Sequence, residues 1–160
     1  MKTAQQWFDE YGVSHQNPFN KFVHWICVPS IFFSIIGLFA AIPHAFLDNL
    51  FPENWAPFVN FASLALIVAM IFYFSISKTI FLGMVAVSAV CIWGNAAIEQ
   101  ANFMPLWQFS LIVFVLAWIG QFVGHKIEGA KPSFFKDLQF LLVGPAWLIH
   151  FIYKKVGIPY

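Results

Sequence analysis

Four runs of apolar residues, each about the length needed to cross a bilayer, leave this chain few folds to choose from. They fall near 19–42, 58–77, 79–98 and 105–126. A hydrocarbon core about 30 Å thick takes about 20 helical residues to span. Within it every backbone N–H and C=O must be paired inside the segment, so such runs become helices. The rest of the chain agrees: 61% of its 160 residues are hydrophobic and only 9% charged, against about 25% charged in an ordinary soluble domain. The predicted fold class is therefore all-α and integral membrane, with four transmembrane helices. A fifth apolar stretch, near 134–153, is interrupted by Gly144-Pro145; proline breaks the helical ladder, so this segment reads as a broken re-entrant or interfacial helix. With no internal repeat or long linker, residues 1–160 read as a single membrane-embedded domain.

The lysines orient the segments. Lys2 and Lys21 precede the first run, Lys78 lies between the second and third, and Lys126, Lys131 and Lys136 follow the fourth. The connections 43–57 and 99–104 carry no lysine, only Asp48, Glu53 and Glu99. Every lysine-bearing connection falls on one side, the positive-inside pattern, so the N-terminus is expected to be cytoplasmic. Trp55, Trp93 and Trp107 gather toward the other boundary as an aromatic belt would. A full crossing by 134–153 would put Lys154-Lys155 outside, against the bias. The polar opening residues, with Asp9 and Glu10, do not read as a cleavable signal. All-lysine usage without a targeting segment points to a bacterial inner membrane rather than the endoplasmic reticulum. Net charge of +1 with no arginine gives no reason to expect nucleic acid. Cys27 and Cys91 lie within apolar runs and read as small hydrophobes rather than a disulfide. Nothing in the chain sets an oligomeric state.

On this topology His15, His24 and His125 converge on the inner boundary, while His44 lies in the lysine-free connection on the far side. Metal-competent side chains gathered at one end of an otherwise apolar bundle are costly and point to a site. The set His15, His24 and His125 is therefore a candidate metal site, with His150 as a candidate fourth ligand. Each histidine has a polar neighbour one helical turn away: Gln121 and Glu128 flank His125, Asn20 precedes His24, and Tyr11 precedes His15. Such neighbours orient ligand rings. Gly120 and Gly124 thin one helix beside His125 and would let another come close. The competing readings are interface histidines that hold helices together around lipid, a three-histidine zinc hydrolase acting on a lipid, and haem ligation by His24 and His125.

Two blocks carry a family resemblance. Tyr11-Gly12-Val13-Ser14-His15-Gln16-Asn17-Pro18-Phe19-Asn20-Lys21-Phe22-Val23-His24, with Pro29 following, is one. Trp118-Ile119-Gly120-Gln121-Phe122-Val123-Gly124-His125-Lys126-Ile127-Glu128, followed by Lys131-Pro132-Ser133, is the other. Together with Leu142-Val143-Gly144-Pro145 they resemble the small multi-span membrane proteins typified by the fungal endoplasmic-reticulum dioxygenase of 2-hydroxy fatty acids, over nearly the whole chain. The resemblance implies an Fe(2+)-dependent α-oxidation in which a 2-hydroxy fatty acid and O2 give the acid one carbon shorter. It places the site at His15, His24 and His125, with Glu128 and Asn20 beside them; Gln121 joins these as a candidate catalytic neighbour. Tyr11, Lys126 and Lys131 are candidate substrate contacts, the lysines as partners for the carboxylate. A substrate with its head group at the interface and its tail in lipid suits a site at this depth.

Overall fold

The computed structural model describes residues 2–44, 58–129 and 140–160. These residues form six helices and no strand: α1 (Ala4–Gly12), α2 (Pro18–Ala40), α3 (Phe61–Ile76), α4 (Lys78–Ala101), α5 (Leu106–Glu128) and α6 (Val143–Val156). Local chemistry sets the boundaries. Thr3 and Gln6 form a reciprocal capping box that starts α1. Asn17 caps α2 by accepting from the backbone N–H groups of Phe19 and Asn20, and Pro18 occupies the first turn, where its missing N–H costs nothing. Ser77 alone separates α3 from α4, taking an extended conformation and capping α4 through Ile80 N–H. Gly129, at φ 74°, ends α5 in the left-handed conformation that favours glycine.

Helices α2, α4 and α5 have 23, 24 and 23 residues and are long and apolar enough to cross a membrane. The expected crossing at 58–77 is shorter. Asn60 caps through Ser63 N–H, and α3 has 16 residues, about 24 Å of rise. In the C-terminal segment the Gly144-Pro145 pair does not interrupt a described helix. It lies in the first turn of α6, a 14-residue helix, where proline is tolerated. The start of the expected 134–153 segment, and with it Lys131, Lys136, Asp48, Glu53 and Trp55, lies outside the described residues.

Polarity in the bundle is inverted relative to a soluble protein. Leu64, Ile67, Val68, Ile71, Leu82, Val90 and Leu116 point outward, each at least half exposed, while Asn20, His24, Ser34, Ser88, Asn95, Ser110, Gln121 and His125 are buried. A lipid solvent favours this arrangement, because apolar side chains cost nothing outside and polar groups find partners only inside. Helix α2 lies at the centre and packs most closely against α5. A Cβ on Gly120 would stand 2.6 Å from Cys27 Sγ, and one on Gly124 would collide with Asn20 Oδ1. The two glycines, four residues apart, thus let the backbones approach as the spacing predicts. That approach brings the start of α2 against the end of α5.

Candidate metal centre

His15 lies in the turn between α1 and α2, His24 one turn inside α2, and His125 in the last turn of α5. All three are buried, at 2%, 0% and 4% exposure. Their ligand atoms lie within 4.8 Å of one another, the reach of a single ion. The His15 and His24 rings are 4.2 Å apart at 81°, and His125 is 5.1 Å from the first and 5.0 Å from the second.

The hydrogen bonds fix which nitrogen faces the cluster. His15 Nδ1 is 2.6 Å from the Tyr11 carbonyl and His24 Nδ1 is 2.9 Å from the Asn20 carbonyl, each four residues back. A carbonyl only accepts, so each Nδ1 must carry the proton, and each Nε2 is left with a bare lone pair. Both Nε2 atoms are buried with no hydrogen-bond partner among the described residues. Orphaned acceptors of this kind cost about 1–3 kcal/mol each. A metal ion satisfies them, and a carbonyl on the far ring nitrogen is the usual support of a ligating histidine. Burial, reinforced by neighbouring His24, lowers the His15 pKa to about 3, so this ring is neutral at physiological pH, the form a metal requires. The residues present therefore fit a metal ion.

Aromatic rings hold His15 in place. Tyr11 stacks on it at 4.1 Å and 12°, and Trp147 of α6 lies 5.4 Å away while packing on Tyr11 at 5.1 Å.

The polar neighbours take distinct places. The Glu128 carboxylate accepts from Gln16 N–H at 2.8 Å, from Asn17 N–H at 2.8 and 3.1 Å, and from the Asn20 side-chain amide at 3.0 Å. It thereby ties the end of α5 to the turn that carries His15 and to the N-terminus of α2, where a negative charge is favoured. Asn20 also donates to the Ser14 carbonyl at 3.1 Å. Gln121 is buried beside the His24 ring. Lys126 is exposed, and Lys131 lies outside the described residues.

His150 is buried on α6, with its ring 5.0 Å from Phe8 and 4.7 Å from Tyr160. It does not belong to the three-histidine group. His44 is beyond the opposite end of α2, where its Nδ1 meets the Ile42 carbonyl at 2.9 Å. Trp147, with no place in the sequence reading, enters here, and Lys21, read from the sequence as an orienting lysine, lines a cavity with His15. Trp147 shares a face of α6 with His150 three residues on, a spacing that could have drawn attention to it.

A family model described as "2-hydroxy-palmitic acid dioxygenase Mpo1-like" matches residues 1–156, and the chain belongs to this family. No curated protein and no solved structure shows significant similarity to it.

Proposed function

We propose that this protein is an Fe(2+)-dependent dioxygenase that shortens 2-hydroxy fatty acids by one carbon with O2 as co-substrate. The observation that carries the reading is the pair of buried, deprotonated Nε2 atoms of His15 and His24, set against His125, with the Gln121 side chain beside the His24 ring. The family description supplies the substrate class. Neutral imidazoles suit iron(II), and three of them leave positions open for other ligands. Bound there, iron would supply the one-electron and O2 chemistry that side chains lack.

The chain's own part is binding and order. The Tyr11 and Asn20 carbonyls keep both Nδ1 protons in place, Glu128 holds the two ligand-bearing segments together, and Gln121 lies beside the ligand His24 as the candidate hydrogen-bonding group toward substrate. Tyr11, Trp147 and Phe140 form an aromatic wall on one side of the centre. Around this site one domain spans the membrane four times, α3 being the fourth crossing. Its N-terminus is cytoplasmic by the lysine distribution, and α6 lies at the inner boundary with Lys154-Lys155 in its last turn. The all-lysine composition favours a bacterial inner membrane.

A three-nitrogen donor set fits zinc equally well, which makes a zinc-dependent lipid hydrolase the second reading. Protein purified without chelators and given 2-hydroxypalmitate separates the two. Pentadecanoic acid is expected under air in proportion to bound iron, and none under nitrogen. Turnover that persists without O2 refutes the dioxygenase.

A further inference from the structure

Beside the metal centre, between α1, the start of α2 and α6, opens a water-facing cavity walled by Asp9, His15, Gln16, Lys21, Trp147 and His150. It reaches the buried His15 from outside. We infer that this cavity is the carboxylate-binding vestibule of the enzyme and that Lys21 is the counter-ion that seats the substrate's free carboxylate there. The inference rests on the reading of the substrate as a fatty acid.

Three observations point the same way. Lys21 is half-buried, yet among the described residues its ammonium has no ion-pair or hydrogen-bond partner. An ammonium with no counter-charge beside it is available to an arriving carboxylate, with which it makes a charge-assisted hydrogen bond. Lys21 also precedes His24 by three residues, so the two are neighbours on one face of α2, about 4.5 Å apart along its axis. A group held at the three histidines is within reach of a lysine side chain starting there. Finally, His150 is buried at 7% exposure, with its Nδ1 unpartnered, in the wall of the same cavity. It is a second polar side chain without a hydrogen-bond partner in that wall.

The remaining charge is directional. Asp9 accepts from the Gln5 amide at 2.7 Å and makes its own end of the cavity unfavourable to an anion. The carboxylate is thereby favoured beside Lys21; the other carboxylate near that end, Glu128, is already held by the Gln16 and Asn17 N–H groups and the Asn20 amide. Esters and amides of the same acyl chain carry no charge to satisfy Lys21, so the vestibule selects free acids.

Photolabelling of metal-free full-length protein by a diazirine-bearing fatty acid tests this without turnover. Palmitate should compete and methyl palmitate should not. Lys21→Gln and Lys21→Met should weaken palmitate competition about 10- to 100-fold, the range for losing a charge-assisted hydrogen bond. Lys21→Arg should restore it, and Lys155→Gln at the exposed end of α6 should match wild type. The neutral variants should keep wild-type metal content and raise KM for the hydroxy acid far more than they lower kcat. Methyl palmitate competing as well as palmitate on wild type overturns the inference, whatever the variants do. So does equal competition in wild type and Lys21→Gln. If Lys21-dependent capture stands but wild type oxidises no hydroxy acid, the vestibule is upheld and the proposed reaction fails. If turnover is normal and KM is unchanged in Lys21→Gln, the reaction stands and the vestibule fails.

Discussion

Glu128→Gln separates a residue that builds the site from one that takes part in the chemistry. In the native protein both carboxylate oxygens are occupied, one by the backbone of Gln16 and Asn17, the other by Asn17 and the Asn20 amide. Glutamine keeps one acceptor oxygen but turns an NH2 toward donors, so at least one of these contacts becomes a clash of donors and the rest lose their charge assistance. Hydrogen bonds to charged groups contribute about 1.5–3 kcal/mol each. Glu128 is only half-buried, and screening reduces that gain, so a total loss of about 1–2 kcal/mol is expected. Tm should then fall by roughly 2–8 °C for a chain of this size. The turn bearing His15 is what loosens, so metal affinity should drop about 10- to 100-fold, as when a supporting partner of a ligand is removed. Thermal unfolding and a metal titration in detergent read both quantities. A variant with native Tm and native metal affinity but a collapsed kcat would refute the positioning role and make Glu128 a participant in catalysis.

Gly124→Ala places a methyl group against Asn20 Oδ1 at a close approach of α2 and α5; overpacking of this kind costs about 1–3 kcal/mol. The variant should lose stability and metal together, and a wild-type unfolding curve would contradict the close approach. Acid should destabilise the metal-free protein. The His15 pKa lies near 3 in the folded state against 6.5 as an ordinary value, so the unfolded chain binds the extra proton between those limits. This contribution to stability is complete above pH 6.5 and is lost as pH falls toward 3. From pH 7 to 5 it amounts to about 2 kcal/mol, readable as a lower Tm; a Tm that holds or rises would mean that His15 takes up its proton in place.

The histidine cluster was legible because lysine placement alone assigns sides to the connections, and three of the five histidines then fall at one boundary. Gly120 and Gly124 were legible for a related reason, since a small-residue pair four apart in an apolar helix has few uses besides close packing. Hydropathy could not show where α3 begins, because Asn60 and its bond to Ser63 N–H, a local capping event inside an apolar run, set that point. The part played by Gly144-Pro145 was hidden likewise: proline reads as a break unless the helix is known to start beside it. The partners of Glu128 lie more than 100 positions away in the chain, a distance no spacing rule reaches. Trp147 and Lys21 were passed over because an aromatic residue in an apolar run and a lysine at a membrane boundary each have an ordinary explanation.

Metal content per chain bears most directly on the central claim, that His15, His24 and His125 hold one ion between α2 and α5. Protein purified without chelators should carry about one equivalent of metal. His24→Ala and His125→Ala should each carry almost none while still inserting and purifying, and His44→Ala should match wild type. Full metal occupancy in both His24→Ala and His125→Ala would contradict the claim.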